Sequence, residues 1–208
     1  MRIVTSSLAA AALLATTSAS AEVTANVGFM SNYVFRGVEQ NDSSAMGGVD
    51  FDHSGFYLGI WSADVGKGLE IDYYGGYGFE VGEFSFGVGG TIYTYTGDFD
   101  DNYLEANVGI SWEFLSFDAA FGRYDSDPSQ DYQFYSVTAS HNGFYGTIGT
   151  FADDFDGTYY EAGYGSDLTV EDTYLFDYGI SIIHSNSTLL GGESDTNINF
   201  QIMRTFSF

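Results

Sequence analysis

From residue 69 onward the chain alternates with a period of two. Leu69, Ile71, Tyr73, Gly75, Tyr77 and Phe79 fall on one face, and Glu70, Asp72, Tyr74, Gly76, Gly78 and Glu80 on the other. The pattern recurs where Leu104, Ala106, Val108, Ile110 and Trp112 oppose Tyr103, Glu105, Asn107, Gly109, Ser111 and Glu113. It returns at the end, where Ile198, Phe200, Ile202, Phe206 and Phe208 oppose Asn197, Asn199, Gln201, Thr205 and Ser207. Only a β-strand puts alternate side chains on opposite faces. Such runs are spaced by Gly, Asn, Asp and Ser clusters along nearly the whole chain, which therefore reads as all-β.

The first 21 residues stand apart. Arg2 precedes an apolar stretch centred on Leu8–Ala15, and Ala19-Ser20-Ala21 matches a small-residue cleavage site. This is the pattern of a secretory signal peptide cleaved after Ala21, and it is too short for a spanning helix. Residues 22–208 then form a single domain. No later stretch offers the ~18 apolar residues of a membrane helix. An exported β chain is either a soluble sandwich or a membrane barrel, because a closed barrel is the only sheet that satisfies its backbone in lipid.

Twelve runs are expected as strands: 23–40, 45–53, 56–65, 69–80, 84–95, 103–113, 114–124, 131–141, 144–152, 158–166, 173–186 and 196–208. Four features favour a barrel over a sandwich. The polar faces carry Gly, Ser, Asn and isolated carboxylates, which suits a confined lumen. Connections alternate between short turns, such as Ser54-Gly55 and Asn142-Gly143, and longer loops, such as 96–102 and 187–195. The segment 167–172 breaks that rule by being long on the short-turn side. Tyr and Phe recur near strand ends, where an aromatic girdle belongs. The chain ends on an alternating aromatic strand closing with Phe208, which resembles the signal read by the outer-membrane assembly machinery. The expected fold is an antiparallel up-and-down barrel of about twelve strands in the outer membrane. An even strand number puts both termini on the periplasmic side.

Composition narrows the function. There are 29 acidic and 5 basic residues, for a formal charge of −24. Nucleic-acid binding needs clustered Lys and Arg and is excluded. With no cysteine there is no disulfide, thiolate zinc site or cysteine nucleophile. The histidines are His53, His141 and His184. His184 and Ser185 are adjacent on a strand, point to opposite faces and cannot pair, and no glycine-bounded nucleophile turn exists. An outer-membrane lipid hydrolase is therefore the weakest reading, and the chain is read as a non-enzyme.

Tracing the alternation puts Arg36, Glu70 and Asp72 inward, with Arg36 near the top of an ascending strand and the two carboxylates at similar depth on a descending one. A cation facing two carboxylates is either a constriction or an ion pair that fills a narrow barrel. Asp50, Glu105, Asp118, Glu161 and Asp177 also fall inward. A lumen lined this way repels anions and favours cations or neutral solutes. The loop aspartates Asp98, Asp100, Asp101, Asp153, Asp154 and Asp156 are candidates to hold Ca2+ or Mg2+, or to bridge to lipopolysaccharide, although no loop has an EF-hand spacing. The bland reading of these loops is a solvated acidic rim. Arg204 lies on the apolar face, either snorkelling at the periplasmic rim or turned inward by a bulge.

Three segments carry a family likeness. Ser31-Asn32-Tyr33-Val34-Phe35-Arg36-Gly37-Val38-Glu39-Gln40, Gly55-Phe56-Tyr57-Leu58-Gly59-Ile60-Trp61-Ser62-Ala63-Asp64-Val65 and Glu70-Ile71-Asp72-Tyr73-Tyr74-Gly75-Gly76-Tyr77 occur in that order. Together they resemble the TorF-type porins, a conserved family of proteobacterial outer-membrane proteins, over about residues 22–80. Glu39 stands where that family is expected to carry a small hydroxyl residue, and Asp64 where it carries Asn. The resemblance implies a pore in the outer membrane and brings no catalytic residues. Two functions follow as expectations: a channel for small cationic or neutral solutes, or a plugged barrel whose acidic loops engage divalent ions or another surface.

Overall fold

The computed structural model describes residues 21–208, so the expected signal peptide lies outside the described residues except for Ala21. Twelve strands form one closed antiparallel barrel. They are β1 (Glu22–Met30), then β4 (Ser44–His53), β5 (Phe56–Asp64), β6 (Leu69–Val81), β7 (Phe84–Tyr95), β8 (Tyr103–Trp112) and β9 (Leu115–Tyr124). The wall continues through β10 (Gln130–His141), β11 (Phe144–Asp153), β12 (Gly157–Val170), β13 (Thr173–Ser185) and β14 (Asp195–Ser207). Two further strands, β2 (Tyr33–Phe35) and β3 (Val38–Asn41), pair only with each other. Closure is made by β1, which pairs with β4 on one side and with β14 on the other, from Thr24 opposite Ser207 to Met30 opposite Gln201.

Each strand connects to the next, and the turns at one end are short. Ser54-Gly55, Asn142-Gly143 and Glu171-Asp172 are two-residue turns with both residues at positive φ, the geometry whose twist matches a hairpin. The connection expected over 167–172 is thus corrected: β12 runs on to Val170, with an irregularity at Leu168/Thr169, and only Glu171-Asp172 turn. The longer loops gather at the other end, where residues 186–194 include a one-turn helix α1 (Ser187–Leu190) capped by Asn186.

The outside of the barrel is apolar. Val27, Leu58, Leu104, Ile148, Ile180 and Ile198 all stand outward and exposed, which in water would be a large liability and in lipid is the required surface. Phe56, Phe84, Phe114 and Phe144 each stand at or beside a short turn and point outward. Phe56 packs against Tyr77 at 4.7 Å and Phe144 against Tyr164 at 4.8 Å. These rings make the girdle of the short-turn end. Arg204 stays on the outer face opposite Val27, in unbroken register, with its guanidinium 5.3 Å from the Phe206 ring. The inward alternative is not taken.

Inside, tyrosine rings lie on glycines of the next strand. A Cβ at Gly163 would come within 2.5 Å of the Tyr145 ring, and Tyr57 covers Gly76 and Gly89 in the same way. These glycines are needed for space rather than for backbone freedom, and they let large rings fill a narrow interior. Gly163→Ala is expected to lower the unfolding free energy, read from the shifted denaturant midpoint, by about 1–3 kcal/mol through overpacking. In a double-mutant cycle with Tyr145→Ala the two costs should be clearly less than additive. Additive costs would show that the ring does not rest on this glycine.

Candidate functional site

The first expected run, 23–40, is not one strand. After Met30 the chain leaves the wall, and β2 and β3 form a small hairpin inside the barrel. Its turn is Arg36-Gly37, at φ 47° and 84°, the same two-residue geometry as the short turns outside. Its base is fixed to β14: Ser31 N donates to Phe200 O at 2.8 Å, and Phe200 N donates to Ser31 Oγ at 2.8 Å. Asn32 adds a bond from Nδ2 to Asn197 Oδ1 at 3.0 Å.

From that base the hairpin crosses to the opposite wall. Arg36 donates to both oxygens of Glu105, on β8, at 2.5 and 3.0 Å. Glu105 also accepts from Tyr132 at 2.7 Å, Tyr93 at 3.1 Å and Asn107 at 2.9 Å. The Arg36 guanidinium lies 4.2 Å from the Phe134 ring centre and 4.8 Å from that of Phe35. Ser185, on β13, donates to Gly37 O at 2.6 Å. A Cβ on Gly37 would fall 2.6 Å from Tyr159 and 2.8 Å from Ser185 Oγ, so this position takes only glycine, for both its φ and its space.

Two apolar clusters hold the hairpin from either side. Tyr33 packs with Met30, Met46, Trp61, Ala63 and Val65, while Val34 packs with Ala120, Phe134, Tyr159 and Ile183. The Tyr33 ring meets Trp61 edge-on at 5.7 Å, and its hydroxyl donates to Glu70 at 2.7 Å. Burial, and then the carboxylates Glu70 and Asp72, push the Tyr33 phenol up, so it remains a donor. Burial works against the Arg36 charge, but Glu105 overrides it and holds the guanidinium above its ordinary range.

The expected trio is therefore corrected. Arg36 is not on a wall strand and pairs with Glu105. Glu70 is taken by Tyr33, and Asp72 Oδ1 is buried with no hydrogen-bond partner. All four charged groups are sealed off: Arg36 is 6% exposed, Glu70 1%, Asp72 8% and Glu105 2%. The other inward carboxylates make no hydrogen bond to Arg36. Asp50 accepts from the Tyr74 hydroxyl, Glu161 from Tyr145 at 2.6 Å and Asp177 from Tyr174 at 2.7 Å, while Asp118 is half-buried on β9.

At the long-loop end, above Arg36, opens a cavity of about 710 Å³. The acidic loops partly border it. Asp100 accepts from the Tyr103 and Tyr124 hydroxyls at 2.8 and 2.7 Å. Asp154 accepts from Asp131 N at 3.0 Å, and Asp156 from Gly157 N at 2.7 Å. Asp98, in the loop, and Asp153, at the end of β11, are exposed at positive φ, and Asp101 is exposed beside Asp100. Among the described residues no three acidic or histidine side chains converge to hold a metal. His184 lies outside the barrel with Nδ1 2.8 Å from Thr196 Oγ1, whereas Ser185 points inward.

Sequence comparison decides the family. Residues 14–180 match Gcw_chp, a family of bacterial proteins of unknown function. The chain belongs to that family. No curated protein matches. Among solved structures, the Gcw_chp chain is similar to a membrane protein studied for the mechanism of in-meso crystallization, with TM-score 0.60 and 10% identity over 90% of this chain and 84% of that one. It is also similar to the NanC porin, with TM-score 0.52 and 9% identity over 88% of this chain and 98% of that one. These likenesses establish the porin-type barrel fold.

Strand alternation alone does not reveal the hairpin, although the sequence carries a signal for it. Phe35-Arg36-Gly37-Val38 has the same residue-then-glycine turn between β-formers as His53-Ser54-Gly55-Phe56. The tip also offers a test. Glu105→Gln weakens the partner of a buried guanidinium, a change that costs about 3–5 kcal/mol when such a partner is lost outright. Trypsin should leave Arg36 uncut in the folded wild type and cleave the Arg36–Gly37 bond in the variant, read by mass spectrometry. Equal protection in both would show that the pair does not hold the tip.

Proposed function

We propose that this Gcw_chp protein is an outer-membrane channel of the TorF type, exported through its amino-terminal leader, and that the inserted hairpin keeps it closed in the conformation described. One observation carries this reading: Arg36 and Glu105, from opposite sides of the lumen, meet in a two-point ion pair that is almost wholly buried. A porin-type barrel with such a bar across it conducts only when the bar moves. The buried carboxylates Glu70, Asp72 and Glu105 outnumber the single cation Arg36, and solutes that pass are therefore small cations or neutral molecules. Assembly through the strand ending at Phe208, and contact of the acidic loops with lipopolysaccharide, belong to the same reading.

A second reading, a permanently plugged barrel, is favoured by the fixing of the hairpin at both base and tip. Planar-bilayer recording separates them. For a gated channel the wild type gives rare, small openings. Arg36→Ala then raises open probability and shifts selectivity toward cations, because it leaves an uncompensated carboxylate in the lumen. The signature of the plug reading is silence in the wild type and in Arg36→Ala, with conductance appearing only in a variant lacking residues 32–42, each verified as folded.

A further inference from the structure

The cavity at the long-loop end lies above the buried ion pair, with Arg36 in its floor. Eight aromatic side chains line it, among them Phe35, Tyr95, Phe99, Tyr103, Tyr132 and Phe155. The rings brace one another. Tyr132 and Phe155 stack at 4.7 Å and 5°, Tyr95 and Phe99 lie 5.4 Å apart, and Tyr103 stacks on Tyr124 at 4.5 Å. A packed aromatic wall of this kind is rigid and loses little entropy when a ligand arrives.

The charge on this wall is of one sign. Glu39, Asp100 and Asp156 stand exposed on the lining. Arg36 forms part of the floor, but both of its side-chain hydrogen bonds go to Glu105, which neutralises it toward a ligand. None of the three carboxylates takes part in an ion pair, the pairs among the described residues being Arg36–Glu105 and Arg123–Asp131. Glu39 accepts only from Asn32, at 3.3 Å, and Asp156 from Gly157 N, which leaves acceptor capacity on each. Ring faces attract cations, and carboxylates at the edge of an apolar cavity do the same. The protein already uses this chemistry one layer down, where the Arg36 guanidinium sits over Phe35 and Phe134.

We infer that the vestibule is a binding site for an organic monocation with an apolar body, such as an aryl- or alkylammonium, whose hydrocarbon part rests against the rings while its ammonium faces Glu39, Asp100 and Asp156. Gln40 is the only amide on the lining, so the exposed polar groups there are mainly carboxylates, which favour a cation over a neutral saccharide. A cavity of this volume takes a small molecule rather than a peptide. The inference deepens the proposed preference for cationic solutes and rests on that reading for its meaning in transport. Binding itself does not depend on conduction.

The experiment compares three probes of one shape on the purified full chain in detergent: phenethylammonium, phenethyl alcohol and phenylacetate, by calorimetry at low and high salt. The cation is expected to bind about tenfold or more tighter than the alcohol, with the anion weakest, in line with combined cation–π and carboxylate attraction. Phe155→Leu, which keeps an apolar side chain but removes a ring, should weaken the cation more than the alcohol. The double variant Glu39→Gln, Asp156→Asn should lower cation affinity several-fold and reduce its salt dependence, while leaving the alcohol unchanged. Equal affinity for all three probes, or no cation binding by protein shown to be folded, would overturn the inference. A silent channel that still binds phenethylammonium would overturn only the transport reading, and a conducting channel that does not bind it only the vestibule.

Discussion

Hydrocarbon offers no partner to a backbone N–H or C=O, so a sheet that crosses it must return to its own first strand. Here the return is the pairing of residues 24–30 with 201–207. The rest of the molecule follows from closing a sheet of twelve strands. Apolar side chains must face outward, which gives the row of exposed Val, Leu, Ile and Phe, and a narrow interior must hold every other side chain of every strand. Small residues on the wall and rings laid across them solve that packing problem. Glycine here is a device for making room, as Gly163 does under Tyr145 and Gly76 under Tyr57.

The hairpin is the consequence least expected from barrel geometry. Left to its own strands, the upper lumen would hold Glu70, Asp72 and Glu105 close together with no cation among them. The inserted tip supplies one. Arg36 adopts a positive φ, which for a residue with a side chain costs about 1–2 kcal/mol, and it does so where two charge-assisted bonds and two ring faces await its guanidinium. Desolvating both charges is expensive, and the pair is therefore better understood as a specificity device than as a source of stability. It fixes which loop enters the lumen and how far. Five hydrogen bonds converge on Glu105, two of them from Arg36 on the hairpin and three from the wall residues Tyr93, Asn107 and Tyr132.

Much of this was legible in the sequence because period two is a strong signal. The strands from Ser44 onward fall within a few residues of their expected bounds, and the side chains of Glu70, Asp72, Glu105 and Asp177 are buried on the inner face that alternation assigns them. Two things were not legible. The run 23–40 alternates well enough to pass as one strand, because a hairpin inside a barrel has the same local pattern as the wall; only the Arg36-Gly37 turn betrays it. Nor does alternation say which inward groups meet. Depth along neighbouring strands pointed to Glu70 and Asp72, whereas the partner of Arg36 is on the far wall, reached across the lumen rather than along the sheet. The vestibule was hidden for a related reason. Its rings come from three loops and the tips of several strands, and their nearness depends on closure and on a loop turned inward.

The two sites stacked along the axis divide the charge of the interior between them. In the lower one a cation is built into the chain, and its buried carboxylate partner is satisfied by Arg36 and two tyrosines. In the upper one the same ingredients, rings and carboxylates, are present without a resident cation. Arg36 is common to both, forming the floor of one and the bar of the other. Any ligand that settles in the vestibule with a positive group near that floor would repel the guanidinium and compete for the field of Glu105, raising the free energy of the closed hairpin relative to an opened one. A ligand shifts such an equilibrium only by the difference in its affinity for the two states, and like charge beside a buried ion pair is a direct source of that difference. On the proposed channel reading, occupancy of the mouth and the position of the hairpin would be linked through one side chain.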